Sequence, residues 1–110
     1  MHAFKVEKKS NGAKGSRFIR TGDKVAVRYT GTLENGKQFD SNQSKEGFVF
    51  TVGAGEVIKA WEEGILQMRK GMKARITAPP DYAYGESGHP GGIPANATLF
   101  FDIEVLDLLN

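Results

Sequence analysis

The chain has 110 residues, of which 39% are hydrophobic and 25% charged, with 15 basic and 13 acidic side chains for a net charge of +2. That length supports a single domain, 1–110, able to bury roughly two-thirds of its unfolded surface without covalent staples. Cysteine is absent, which removes disulfides, cysteine-based zinc sites and thiol nucleophiles, and so slight a charge excess is no footprint for nucleic acid.

Phe4 and Val6 alternate with Lys5 and Glu7, predicting a short first strand. Asn11-Gly12 and Gly15 mark a loop, and Phe18-Ile19 is expected to open a second strand ended by Thr21-Gly22-Asp23. Val25, Val27, Tyr29, Gly31 and Leu33 then share one parity against Lys24, Arg28, Thr30 and Thr32, the pattern of a half-buried strand. Asn35-Gly36 is a hairpin signal. The return strand starts at Phe39-Asp40-Ser41, breaks over the polar residues 42–47, where a bulge or loop is expected, and resumes at Phe48–Val52.

Convincing helical periodicity occurs once, in Glu56–Met68. Val57, Trp61, Ile65 and Met68 fall on one face with Ile58 beside them, and glycines bracket the run. Met72, Ala74, Ile76 and Ala78 predict a further strand that stops at Pro79-Pro80. Residues 81–97 form an irregular segment long enough to be functional, and its Tyr82, Tyr84 and Ile93 predict packing onto the body. Leu99, Phe101, Ile103 and Val105 give a last strand. The pattern is α+β: an antiparallel sheet of about five strands over one amphipathic helix that places Trp61 inside. No apolar run approaches the ~20 residues of a membrane span, and the N-terminus lacks a signal peptide's apolar core. A soluble, cytoplasmic monomer, free of membrane and nucleic acid, is the expectation.

Conventional catalytic groupings are missing. His2 and His89 have no partner at metal-ligand spacing, so no metal or cofactor is expected. Glu62 and Glu63 are adjacent on a helix and diverge, and Gly53-Ala54-Gly55 is only a weak phosphate cradle. The aromatic inventory stands out: Tyr29, Phe39, Phe48, Phe50, Trp61, Tyr82, Tyr84, Phe100 and Phe101 come from most of the elements. An aromatic-walled cavity with a few polar groups, Asp40 among them, suits a small-molecule or peptide site. For any one of these residues a plain core role is the simpler reading, and the pattern alone stops at a pocket.

The run of Tyr29-Thr30-Gly31, Asn35-Gly36-Lys37-Gln38-Phe39-Asp40-Ser41, Glu56–Gly64, Asp81-Tyr82-Ala83-Tyr84-Gly85 and Gly88-His89-Pro90 closely resembles the FKBP family of peptidyl-prolyl cis-trans isomerases from about residue 4 to the end. The resemblance implies a five- to six-stranded antiparallel sheet wrapped around one short helix, and an enzyme that assists folding by isomerising X-Pro bonds in peptides and unfolded proteins. It also implies a receptor for the macrolides tacrolimus and rapamycin, with protein partners approaching through the 81–97 loop. By position, the implied catalytic set is Tyr29, Phe39, Asp40, Ile58, Trp61, Tyr84 and Phe101, with Phe50, Val57, His89 and Ile93 in substrate or inhibitor binding. Trp61 would floor the pocket, the Ile58 N–H and Tyr84 hydroxyl would donate to ligand carbonyls, and Asp40 would hold the Tyr29 hydroxyl. Against the family pattern, Lys45 replaces an arginine often found near the aspartate, and Gly92 replaces a bulky aliphatic residue. A proline-pocket adaptor that holds a partner without needing catalysis is the second reading.

Overall fold

The strongest alternating segments become the longest strands of an antiparallel sheet in the computed structural model, which describes residues 2–110. Met1, the first residue of the expected domain 1–110, lies outside the described residues. The strands are β1 (Lys5–Lys8), β2 (Lys24–Leu33), β3 (Gln38–Asn42), β4 (Phe48–Thr51), β5 (Lys73–Ala78) and β6 (Leu99–Leu108), with one helix, α1 (Lys59–Gly64). Their order is β1-β5-β6-β2-β3, with β4 also on β2. The expected inward parities hold. Val25, Val27 and Tyr29 of β2, Ala74, Ile76 and Ala78 of β5, and Leu99, Phe101, Ile103 and Val105 of β6 are all buried.

β3 and β4 lie along the same edge of β2. The first pairs with residues 29–32 and the second with 24–27, so the return strand is continuous in direction and the polar residues between loop out. Arg28 pins that loop by donating to the carbonyls of Ser44 and Lys45 at 2.9 and 3.3 Å. The looping out of that polar stretch is as expected, and β3 carries a separate bulge that the pattern did not announce. Gly31 pairs with Asp40 and Thr32 with Gln38, which leaves Phe39 as the extra residue.

Two elements depart from the sequence expectation. Phe18-Ile19 opens no strand: the buried Ile19 donates its N–H to the Met68 carbonyl at 2.9 Å, tying the segment to the end of the helical region. Phe18 stays 43% exposed, with Lys8 and Arg69 cations over its ring. The helix is also shorter than Glu56–Met68. Ile58 is extended and α1 gives way to a 3-10 turn at Ile65–Gln67. The β-branched pair Val57-Ile58 resists helical χ1 packing and offers no capping oxygen, so both residues stay outside α1. The face of α1 that packs on the sheet carries Ala60, Trp61 and Gly64. A Cβ on Gly64 would stand 2.8 Å from Ile76 Cδ1, so glycine permits the close approach to β5.

The ends of the sheet are clamped at Asp23. Arg17 donates to both of its oxygens at 2.8 Å, the Arg20 N–H donates at 2.8 Å, and the Asn110 amide donates at 2.6 Å. These hydrogen bonds, that from Arg17 first, hold the Asp23 carboxyl well below its ordinary pKa. A depressed folded-state pKa gives stability that is complete above the unfolded value of about 3.9 and is lost as pH falls toward the folded one. Because the Arg17 side chain remains 42% exposed, its ion pair is partly screened. Asp23→Asn is therefore expected to cost about 1.5–2 kcal/mol at neutral pH in urea melts. The variant's acid limb should also be flatter than the parent's below about pH 4; parallel limbs would show that Asp23 carries no linkage.

Candidate active site

A cavity of about 230 Å³ is walled by Tyr29, Phe39, Asp40, Phe48, Glu56, Val57, Ile58, Trp61, Tyr84 and Phe101. Trp61 comes from the buried face of α1, and four rings surround its indole. Tyr29 lies edge-on at 4.8 Å, Phe101 at 5.4 Å and Phe48 at 6.0 Å, with Phe50 tilted at 5.7 Å. Such edge-to-face contacts suit the ring quadrupoles. The indole Nε1 is buried with no hydrogen-bond partner among the described residues.

The Phe39 bulge explains how two consecutive residues serve one cavity. In a regular strand Phe39 and Asp40 would point to opposite faces. With Phe39 as the extra residue, the strand is re-aimed locally and both line the cavity. Phe39 then meets Phe101 edge-on at 5.7 Å. Asp40 accepts the Tyr29 hydroxyl at 2.8 Å and the Ser41 N–H at 2.8 Å. Burial, then the Asp40 bond and charge, raise the Tyr29 phenol's pKa, and burial followed by the Asp40 charge raises that of Tyr84. Both rings therefore keep their protons well past neutrality. Among the described residues, neither the Ile58 N–H nor the Tyr84 hydroxyl is engaged by another group. They give the cavity lining two unengaged donors besides the Trp61 Nε1.

The cavity thus gathers Tyr29, Phe39, Asp40, Val57, Ile58, Trp61, Tyr84 and Phe101, and leaves three of the expected residues out of its walls. Phe50 is buried behind Trp61. His89 stacks on the Tyr84 ring at 4.5 Å, and Ile93 pairs with His89 across a two-residue bridge. These support the loop and wall from behind. Phe48 stood in the aromatic inventory but not in the set implied by resemblance, and Glu56 stood in neither. Phe48 shares the parity of Phe50, which was the available signal, whereas the backbone carries Glu56 there with its carboxylate on the Thr51 N–H at 3.0 Å. Lys45 makes no ion pair with Asp40 among the described residues; its carbonyl is held by Arg28. The Gly53-Ala54-Gly55 turn is closed to anions, because the Glu62 carboxylate already accepts the Gly53 and Gly55 N–H groups at 3.0 and 3.1 Å.

An aromatic cavity on a tryptophan floor, closed by a six-stranded antiparallel sheet around one short helix, defines a class that comparison makes specific. Residues 15–106 match the family described as FKBP-type peptidyl-prolyl cis-trans isomerase. The peptidyl-prolyl cis-trans isomerase FKBP1A of Xenopus laevis is 54% identical over 95 residues, 86% of this chain and 88% of its own. The peptidyl-prolyl cis-trans isomerase Fkbp12 of Drosophila melanogaster is 52% identical over 93 residues, 84% and 86% of the two chains. FK506-binding protein 1A of Emericella nidulans is 50% identical over 95 residues, 86% and 88%. The chain belongs to the FKBP-type peptidyl-prolyl cis-trans isomerases, and its activity is isomerisation of X-Pro peptide bonds.

Proposed function

We propose that the ~230 Å³ cavity is where this chain rotates the X-Pro bond, by removing water from the amide and binding it twisted. The observation that carries this reading is the ring of aromatic edges over the Trp61 floor, with two unengaged donors at its wall. The volume is below the ~300–1,000 Å³ of a drug-sized site, which suits one proline ring on Trp61 with the flanking peptide outside. The Ile58 N–H and Tyr84 hydroxyl donate to peptide carbonyls. Tyr29, Phe39 and Phe101 turn positive ring edges toward the carbonyl that precedes proline, and Asp40 fixes the Tyr29 hydroxyl. Val57 and Phe48 complete the walls, while Phe50, His89 and Ile93 act from behind.

The barrier to rotation, ~18–20 kcal/mol, comes from C–N double-bond character. That character needs charge separation, which water stabilises in the planar amide. Inside a dry aromatic cavity the planar form loses that stabilisation, whereas the less polar twisted form loses little. No proton has to move. Asp40 is engaged by Tyr29 and Ser41, and both phenols hold their protons. The name of the Emericella nidulans relative supports binding of tacrolimus (FK506), and rapamycin is proposed to bind the same cavity. Protein partners would approach through the 81–97 loop, and a cytoplasmic monomer is the setting we propose.

The test is cis/trans exchange of Leu-Pro and Ala-Pro peptides with and without rapamycin, repeated across pH. Acceleration blocked by rapamycin is expected, with kcat/KM level from about pH 7.5 to about 9.5 because both raised phenols stay neutral there. A folded sample that neither accelerates exchange nor binds rapamycin sinks the site. A steep bell in that range sinks the desolvation mechanism.

A further inference from the structure

The segment that carries Tyr84 is a thin wall. Tyr84 faces the ~230 Å³ cavity, while Tyr82, two residues earlier, lines a separate hollow of about 880 Å³ together with Phe4 and Pro79. Tyr82, Ala83 and Tyr84 pack on the core only as half-buried side chains, with His89 stacked behind Tyr84. The wall's backbone hydrogen bonds are short-range: Tyr82 and Ala83 donate to Pro79 and Pro80, and Asn96 donates to Gly85. None of these ties the wall to the body of the fold.

Tyr82 adds a side-chain tie to two other elements. Phe4, just ahead of β1, stacks on the Tyr82 ring at 4.5 Å with the planes 2° apart. The Lys59 ammonium stands 4.4 Å from the centre of the same ring, a cation–π distance. Lys59 is the first residue of α1 and follows Ile58 directly. One side chain therefore links the backbone that presents the Ile58 N–H to the segment that presents the Tyr84 hydroxyl.

We propose that Phe4 and Lys59 are positioning residues for the isomerase site, acting through Tyr82 to hold the Tyr84 wall at a fixed spacing from Ile58. The inference rests on the proposed donor role of Tyr84 and adds two residues that do not touch the cavity. Both donors bind the peptide chain rather than the rotating bond, so the clamp governs binding more than rotation. Releasing it lets the wall leave its binding-competent position, and apparent affinity falls by the competent fraction.

The experiment compares Phe4→Ala and Lys59→Met with the conservative variants Phe4→Tyr and Lys59→Arg. Glu63→Gln serves as a control that removes the Lys59–Glu63 ion pair without touching Tyr82. Well below each melting temperature, Phe4→Ala and Lys59→Met should raise KM for a Leu-Pro peptide about three- to tenfold, as a competent fraction of about a third to a tenth implies, with kcat within about twofold. Amide exchange should accelerate over residues 82–93 in the same two variants. The conservative variants and the control should match the parent. Unchanged exchange overturns the clamp whatever Tyr84 does. Faster exchange with unchanged KM also overturns it, provided Tyr84→Phe itself raises KM. If Tyr84→Phe is silent, the proposed hydrogen bond fails, and loop exchange alone decides the clamp.

Discussion

Gly31→Ala is expected to lower kcat/KM by about 10- to 100-fold while most of the fold's stability survives. A Cβ at residue 31 would stand 2.6 Å from Phe39 Cζ and 3.0 Å from Phe101 Cε1. Those are the two rings that meet edge-on in the cavity wall, their centroids 5.7 Å apart. Gly31 is therefore required for space rather than for an unusual backbone. The atoms displaced are ring atoms, and Phe39 is only half-buried, so its ring can swing aside at modest cost. Catalysis that depends on edge placement has no such tolerance, since a misplacement of about 1 Å can cost 100-fold. Urea melts and peptide exchange on the same sample separate the two effects. A variant with parental kcat/KM would show that the Phe39 and Phe101 edges do not contribute to the barrier.

Trp61→Ala is expected to cost about 3–5 kcal/mol, a large share of the roughly 5–15 kcal/mol that holds a domain folded, and to abolish the proposed macrolide binding in whatever fraction stays native. The indole is 5% exposed and packs on Tyr29, Phe48, Phe50 and Phe101, so truncation opens a void under the cavity that these rings cannot refill together. Trp61→Phe should cost much less. Among the described residues the indole N–H has no hydrogen-bond partner, so phenylalanine loses no bond and relieves a buried unpaired donor. Circular dichroism is the suitable readout, because Trp61 is the only tryptophan. Equal losses in the two variants would mean that ring volume matters less than something specific to the indole.

Val25, Val27 and Tyr29, then Ala74, Ile76 and Ala78, then Leu99, Phe101, Ile103 and Val105 alternate so regularly that one sheet face was legible before any coordinates. The same holds for the Asn35-Gly36 turn and for the burial of Trp61. Alternation reports which face a residue takes, and nothing else. Residue pattern alone reached a pocket; the names of its walls came from family likeness.

Register and spacing belong to the tertiary structure. Nothing in Gln38-Phe39-Asp40 announces that Phe39 is an extra residue, because a bulge exists only relative to the partner strand, here Gly31-Thr32 of β2. Yet that bulge is what sends Phe39 and Asp40 into one cavity. The helix likewise begins at Lys59 rather than Glu56, freeing Val57 and Ile58 to become wall, although the apolar spacing from 56 to 68 read as unbroken. Glu62 showed no role in the pattern, where it only diverges from Glu63, until the fold brought the Gly53 and Gly55 amides to it. By itself the sequence determined which side chains would leave water, since burial follows from periodicity along one strand or helix. Which of them would meet was decided by pairing between segments far apart in the chain, a choice made by hydrogen-bond register and packing that no local pattern encodes.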